Sequence, residues 1–302
     1  MNFYANMHNH STHSDGKYTP TQLAQHIAEE GYRAGALTDH DTATGFAEFK
    51  AECDRLGIAC IFGVEFTAPC PELKRPDGRE EKFHLTSYHF DPEYPEMKEY
   101  LYQMGLREKE QTRVIFEDAV RDGLLSGITW QEVLDYNQDI AWLCNEHVFR
   151  AMKHKGLVTD LDYYDFYVRV YRDRWGTIPP SYPFKTAAEL IQLVHDAGGV
   201  IFVAHPHNQL QHTDALVEMG IDGLEAWHPF LTEEEKAEAY RIGLEKNLYI
   251  SGGSDHYGFC GGMYGSFADA KSCPFWLETR SVGTTEELYK EIKDRQKNRT
   301  QL

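Results

Sequence analysis

The sequence predicts an α/β fold in which a parallel sheet of seven strands closes, or nearly closes, into a barrel and carries an inserted helical subdomain. Three observations predict it. Short apolar runs alternate with helical stretches, most runs end in polar side chains, and one long region breaks the alternation. Alternation of strand and helix is typical of parallel sheets, and the loops after the strands of such barrels converge on one face.

The seven apolar runs are the candidate strands. They cover Phe3–Met7, Ala34–Leu37, Ala59–Val64, Phe83–Phe90, Val200–Ala204, Gly223–Ala226 and Leu248–Ile250. Helical stretches follow most of them, at Thr19–Glu30, Ala43–Arg55, Ala187–Ala197 and Glu233–Lys246. Thr19 precedes a proline at the first helical position and a glutamine at the third, which predicts a capping box at the start of the first helix.

The alternation stops between Pro92 and Lys185, where helical stretches such as Pro95–Asp122 and Thr129–Asp135 dominate. No strand-end cluster of polar residues occurs in this region. We therefore expect residues 1–92 and 186–302 to form the barrel, and residues 93–185 to form an inserted helical cap subdomain over its site.

The bulk composition excludes several classes of protein. Hydrophobic residues make up 41% of the 302, and no apolar stretch is long enough for a membrane helix. A net charge of −18 argues against long nucleic acids as the main partner. The six cysteines contain no CxxC pair and the N-terminus lacks the regions of a signal peptide, so we expect a cytoplasmic protein with reduced thiols.

Metal-type residues collect at the strand ends. His8 and His10 are two residues apart, so both imidazoles point to one face. Asp15 follows in a loop, and His40 and Glu65 end the next two strands. Histidine with carboxylate favours Zn, Mn or Fe over Mg or Ca. A carboxylate such as Glu65 can bridge two ions, and ions about 3.5–4 Å apart can clamp a phosphoryl group in transfer.

Five segments resemble, in order, motifs of the PHP (polymerase and histidinol phosphatase) family. They are His8–Gly16, Thr38–Asp41, Gly63–Glu65, Ala204–Pro206 and Gly253–Asp255, and they span most of the chain. The resemblance implies a distorted seven-stranded (β/α)7 TIM-like barrel. It also implies a metal-dependent phosphoesterase that uses two or three divalent ions.

The resemblance further implies which side chains hold those ions, expected to be Mn, Fe or Zn. The sets are His8, His10, Glu65 and Asp255 for one ion; Glu65, His84 and His205 for a second; Asp15 and His40 for a third. His84 is placed by a stretch similar to the family's His-x-Leu-Gly-Tyr, with Ser87 where glycine is usual. The catalytic group would be a metal-bound hydroxide held by Glu65, His205 and Asp255.

The last motif departs from the family pattern. A histidine usually stands two residues after the aspartate, but here that position is Tyr257, and the histidine is His256. Successive residues of an extended segment point in opposite directions, so His256 does not simply substitute. Either the loop bulges so that His256 reaches the site, or Tyr257 contacts the third ion or the substrate.

One stretch of the insertion resembles a substrate-contacting motif, Arg-Pro-His-x-x-Arg, of the family's small-molecule phosphatases. Here Asn145 replaces the first arginine, and His147 and Arg150 are retained. The alternative is a helix with a packed histidine and a surface arginine. His207, just past the fourth motif, is a fourth candidate contact and could face the site or the solvent.

We therefore expect hydrolysis of a small phosphorylated metabolite, such as a nucleotide, a sugar phosphate or a cyclic phosphate, with phosphate as product. Histidinol phosphatase and a proofreading exonuclease are alternatives within the same resemblance. A non-catalytic metal-binding regulatory protein with a degenerate site is an alternative of a different class. No membrane partner is expected.

Overall fold

A computed structural model of the chain describes residues 3–175, 181–255 and 282–295. Its sheet has seven strands, and their spatial order is their order in the sequence. The strands are β1 (Ala5–Asn6), β2 (Ala34–Leu37), β3 (Ala59–Lys74), β4 (Glu80–Tyr88), β5 (Val200–Val203), β6 (Gly223–Trp227) and β7 (Tyr249–Gly252). The predicted seven-stranded α/β barrel is thereby confirmed.

The sheet closes through backbone contacts between its first and last strands. The Met7 N–H donates to the Gly252 carbonyl over 3.1 Å, and the Asp255 N–H donates to the His8 carbonyl over 2.8 Å. Ala5 also pairs with Thr284, beyond the last strand. Closure leaves β1 and β7 without a free edge, and it places the residues after β7 beside those after β1.

Strand β4 is the distortion in this barrel, because it runs antiparallel to both β3 and β5. The alternating pattern predicted a parallel sheet throughout, and this prediction is wrong for β4. No helix separates β3 from β4. A turn joins them, in which the Arg75 N–H donates to the Arg79 carbonyl and Gly78 has a φ of 83°. Proline, aspartate and glycine within this turn have the chemistry of a reverse turn.

Ten helices surround the strands in the described part of the chain. They are α1 (Pro20–Glu29), α2 (Phe46–Leu56), α3 (Pro95–Arg121), α4 (Trp130–Tyr136), α5 (Asn145–His154), α6 (Tyr163–Phe166), α7 (Ala187–Asp196), α8 (Thr213–Met219), α9 (Glu233–Glu245) and α10 (Glu286–Asp294). Helix α1 begins with the predicted capping box of Thr19 and Gln22. No described helix has the length and apolar character to cross a membrane.

The helices between β4 and β5 have an apolar core of their own. It includes Ile115, Phe116, Val148, Phe149 and Tyr171, all buried. The first half of α3 instead packs on the main barrel core. Our division into a barrel and a cap at residues 93–185 stays a proposal, and this separate core supports it.

Candidate metal centre

Glu65 lies at the middle of the candidate site, and its side chain is fully buried. Its two carboxylate oxygens face different histidines. Oε2 lies 3.1–3.2 Å from nitrogens of His8, His10 and His40. Oε1 lies 3.2 Å from Nδ1 of His84 and 3.1 Å from Nε2 of His205. The two faces of one carboxylate therefore meet two separate groups of imidazoles.

The first group is completed by Asp255, whose Oδ1 lies 3.0 Å from Nε2 of His10. Ligand atoms of His8, His10, Glu65 and Asp255 all lie within 4.8 Å of one another. His8 and His10 come from the loop after β1, Glu65 comes from β3 and Asp255 comes from the loop after β7. Barrel closure brings these segments together. His256 and Tyr257, the alternatives for the next position, lie outside the described residues.

Asp15 and His40 form a second edge of the cluster. One Asp15 oxygen lies 3.6 Å from Nδ1 of His10, and the other lies 3.6 Å from Nε2 of His40. His10, Asp15 and His40 form one potential metal-binding group, and His40, Glu65 and His84 form another. Adjacent groups share His10, His40 or Glu65, so the structure brings all eight sequence-predicted ligands into one cluster.

The electrostatics of the cluster favour a cation. Burial opposes ionisation of Glu65, yet the neighbouring histidines hold its pKa well below the ordinary value. Burial also opposes protonation of His8, but Glu225, Glu65 and Asp255 raise its pKa well above the ordinary value. Burial lowers the pKa of His40 to about 3, so this ring is neutral at pH 7 and offers a lone pair. Buried carboxylates beside neutral imidazole are a suitable environment for divalent ions.

One atom tests directly whether these residues fit a metal ion. Oε2 of Glu65 is buried and accepts no hydrogen bond from any described residue, although three imidazole nitrogens lie close to it. A buried carboxylate oxygen without a donor is costly unless a cation satisfies it. The nitrogen and oxygen donors match the preference of Mn, Fe and Zn. The residues present therefore fit bound divalent ions.

The loop after β1 is held by Asp39 rather than by the cluster. Asp39 accepts hydrogen bonds from the Ser11 N–H over 2.7 Å, the Ser11 hydroxyl over 2.7 Å and the Ser14 hydroxyl over 2.6 Å. Asp41 accepts the Thr67 N–H over 3.2 Å. Asp39 thus holds the loop that carries His10 and Asp15, and Asp41 binds the backbone of β3 two residues from Glu65.

Comparison with known proteins agrees with this geometry. The sequence profile of the PHP domain matches residues 6–173, which is more than half of the chain. The chain belongs to the PHP domain family. Family membership, with relatives named as a phosphodiesterase, a phosphatase and exoribonucleases, makes it a metal-dependent phosphoesterase.

Two curated relatives cover most of the PHP chain. A phosphoribosyl 1,2-cyclic phosphate 1,2-diphosphodiesterase of Eggerthella lenta is 25% identical over 83% of this chain and 93% of the relative. A 5'-3' exoribonuclease of Haemophilus influenzae is 28% identical over 84% of this chain and 90% of the relative. A solved structure from Bifidobacterium adolescentis, of a protein predicted to be a metal-dependent phosphoesterase, superposes on this chain with a TM-score of 0.73. At 24% identity over 97% of this chain and 96% of that one, it shows that the fold is shared.

The four candidate substrate contacts of this PHP domain do not share one location, as its candidate metal ligands do. His147 is buried: the Cys144 N–H donates to its Nδ1 over 3.0 Å, and its Nε2 donates to the Thr12 carbonyl over 3.0 Å. Arg150 is half-buried and donates to the Thr12 and Gly16 carbonyls. Both side chains therefore join α5 to the loop after β1. For His147, this agrees with the alternative in which the histidine is packed inside the protein.

Asn145 and His207 bind other partners. Asn145 is buried and donates to Glu146 over 2.8 Å and to the Tyr163 hydroxyl over 2.9 Å. His207 lies 2.9 Å from Glu235 of α9, and 48% of its side chain is exposed. Both contacts direct these side chains toward helices rather than toward Glu65. Substrate contact by any of the four remains a proposal.

Two residues at the site were missed from the sequence: Glu225 on β6 and His228 just after it. Glu225 lies 3.1 Å from Nδ1 of His8, and His228 lies 3.2 Å from Oδ2 of Asp255. Both are buried. The available signal was a charged residue inside the apolar run Gly223–Ala226 and a histidine at its end.

Proposed function

We propose that this PHP domain hydrolyses a small phosphorylated metabolite, such as a nucleotide, a sugar phosphate or a cyclic phosphate, with two or three divalent ions. The observation that carries the proposal is the carboxylate of Glu65, whose two oxygens face separate histidine groups. A carboxylate in this position suits two neighbouring ions, and paired ions are a recurring arrangement in phosphoryl transfer.

The exposed side chains indicate where a substrate reaches the cluster. His8, His10 and Glu65 have no exposed side-chain surface, whereas His84 is 28% exposed, His205 is 20% exposed and Asp15 is 16% exposed. A phosphate group therefore approaches from the edge formed by His84, His205 and Asp15. The fully buried residues would hold the ions on the side away from the substrate.

The division of labour follows from this placement. When bound, the ions would supply Lewis acidity and neutralise the negative charge that develops on the phosphoryl oxygens. In this arrangement His8, His10, Glu65 and Asp255 would hold one ion. Glu65, His84 and His205 would hold another, with His40 and Asp15 at the adjoining edge. Water adds to phosphorus and the ester oxygen leaves with a proton. A monoester thereby gives an alcohol and phosphate, and a cyclic phosphate opens to a phosphate monoester.

Two features favour a small substrate. The net charge of −18 disfavours a long polyanion, whose binding normally uses a basic surface. The loop after β1 is covered by the start of α5, and the Trp142 ring lies 5.8 Å from the ring of His40. Both cover one side of the cluster and limit the room beside it.

A second candidate is stepwise removal of nucleotides from a short RNA end. The similarity to the Haemophilus exoribonuclease over most of both chains favours it specifically. A terminal phosphate could reach the exposed edge of the cluster without a long binding surface. Histidinol phosphatase is a further alternative for the same site, and a degenerate, non-catalytic metal site is the alternative of another class.

Phosphate or nucleotide release from a panel tests these proposals. The panel contains nucleotides, sugar phosphates, cyclic phosphates, histidinol phosphate and a short 5'-phosphorylated oligoribonucleotide. The Mn-loaded protein is compared with Glu65→Ala and with Glu234→Ala, an exposed control on α9. We expect turnover of one small class, its loss in Glu65→Ala and its retention in the control. Preference for the oligoribonucleotide would overturn the small-substrate proposal, and no turnover despite bound Mn would favour the degenerate site.

A further inference from the structure

Strand β6 supplies a second layer of contacts behind the metal cluster. Neither Glu225 nor His228 lies on the exposed edge that a substrate reaches; their side chains are 1% and 0% exposed. Each contacts a different residue of the group His8, His10, Glu65 and Asp255. We propose that Glu225 and His228 are positioning residues that orient two of these side chains for the first ion, an inference that rests on the proposed metal centre.

Glu225 fixes the ring of His8. Nδ1 of His8 lies 3.2 Å from Oε1 and 3.1 Å from Oε2 of Glu225, and a carboxylate can only accept, so Nδ1 carries the proton. Nε2 of His8, on the opposite side of the ring, lies 3.2 Å from Glu65. In the neutral ring, which is the form that binds a metal ion, the lone pair is then on Nε2 and points into the cluster. A carboxylate behind an imidazole raises the ring's basicity and sets its tautomer.

The same carboxylate also holds a residue of the other group. The backbone N–H of His205 donates to Oε2 of Glu225 over 2.8 Å. His205 has a positive φ of 31°, which is unusual for a residue with a side chain. The hydrogen bond holds the backbone in this conformation, and the side chain then reaches Glu65. One buried carboxylate on β6 thus positions a histidine on each side of Glu65.

His228 performs the corresponding task for Asp255. The Phe230 N–H donates to Nδ1 of His228 over 3.1 Å, so the neutral ring carries its proton on Nε2. Nε2 then donates to Oδ2 of Asp255 over 3.2 Å. The other oxygen, Oδ1, faces His10 at 3.0 Å. Asp255 is therefore turned so that one oxygen is held from behind and the other points into the cluster.

An alternative is that His8, Glu225 and His228 hold an ion of their own, since their ligand atoms also lie within 4.8 Å of one another. The hydrogen bonds argue against it. The Nδ1 of His228 already accepts the Phe230 N–H, and its Nε2 proton is directed at Asp255. The Nδ1 of His8 carries the proton that Glu225 accepts. Neither ring therefore offers a lone pair to an ion placed between His8, Glu225 and His228.

The test is Mn²⁺ affinity, measured by competition with a fluorescent chelator on the full chain. Variants are Glu225→Gln, which keeps the size but loses the charge, His228→Leu, which loses the donor, and His228→Gln, which keeps a donor. Glu238→Gln, exposed and paired with Arg241, is the control. Thermal unfolding in excess chelator reports the stability of each metal-free variant. Absorption of the Co²⁺-loaded protein reports ligand geometry.

We expect Glu225→Gln and His228→Leu to bind Mn²⁺ about 10–100-fold more weakly, with altered Co²⁺ spectra and little change in metal-free melting. His228→Gln should stay within about threefold of the wild type, because a donor to Asp255 remains. Affinities within threefold for all variants would overturn the inference, as would losses that follow metal-free melting alone. If the wild type binds no Mn²⁺, the proposed metal centre itself fails, which is a separate outcome.

Discussion

Replacing His147 with alanine distinguishes its two possible roles, a substrate contact or a structural link between α5 and the loop after β1. His147 accepts the Cys144 N–H at the start of α5 and donates to the Thr12 carbonyl, and its side chain is buried. Burial holds its pKa well below the ordinary value, so the ring is neutral and uses both nitrogens in these bonds.

The expected cost follows from the two bonds. Loss of the side-chain cap on the α5 backbone costs about 1 kcal/mol. The Thr12 carbonyl keeps its second donor, Arg150, so loss of the hydrogen bond from His147 costs only about 0.5–1.5 kcal/mol more. We therefore expect His147→Ala to lower the free energy of unfolding by about 1.5–2.5 kcal/mol. Urea denaturation followed by tryptophan fluorescence measures it, with His154→Ala, exposed near the end of the same helix, as the control.

The kinetic result distinguishes the roles further. A structural link predicts a large loss of stability and, for the folded fraction, a KM close to that of the wild type. Unchanged stability together with a KM raised tenfold or more would refute this reasoning and make His147 a substrate contact. His154→Ala should stay within about 0.5 kcal/mol of the wild type.

Three further predictions concern the barrel and its ions. Tyr88→Phe should lower the free energy of unfolding, measured by urea denaturation, by about 1–3 kcal/mol because the Tyr88 hydroxyl donates to the Met7 carbonyl over 2.9 Å inside the barrel. The control Tyr102→Phe, at a side chain that is 62% exposed, should change it very little, and equal effects would contradict the prediction. Burial and the charge of Arg295 lower the pKa of His89 to about 4. The wild type should therefore lose stability as the pH falls from about 6.5 toward 4, because the unfolded chain binds the proton more readily. His89→Gln should lose less stability over that range, and identical pH profiles would refute the assignment. Mn²⁺ at a hundredfold excess over its Kd should stabilise the fold by about 2.7 kcal/mol for each ion bound, and a melting temperature that neither Mn²⁺ nor a chelator changes would contradict it.

The eight ligands of the cluster could be named from the sequence because the motifs that contain them resemble those of a known family. His8, His10 and Asp255 follow their strands as predicted. Glu65 instead lies inside β3, which continues to Lys74, so the prediction that this strand ends at Glu65 is wrong. Glu225 could not be placed in this way. It lies inside an apolar strand, 217 positions from His8, and only the closed barrel shows what it contacts.

The reversed strand could have been predicted and was not. The residues Arg75 to Arg79 contain the proline, aspartate and glycine of a reverse turn, and no helical stretch separates the flanking apolar runs. The sequence offered no indication of the direction in which the side chains of Asn145 and His207 point. Which way each side chain points depends on partners in other elements, Tyr163 for Asn145 and Glu235 for His207.

The Mn²⁺ content of the purified chain tests most directly whether Glu65 serves two ions, as we propose. The wild type and Glu65→Ala are saturated with Mn²⁺, desalted and measured by elemental analysis, with Glu234→Ala as the control. We expect at least two ions per wild-type and control chain, and a loss of both in Glu65→Ala because one carboxylate would serve both positions. Equal Mn²⁺ content in Glu65→Ala and the wild type, or none in the wild type, would contradict it.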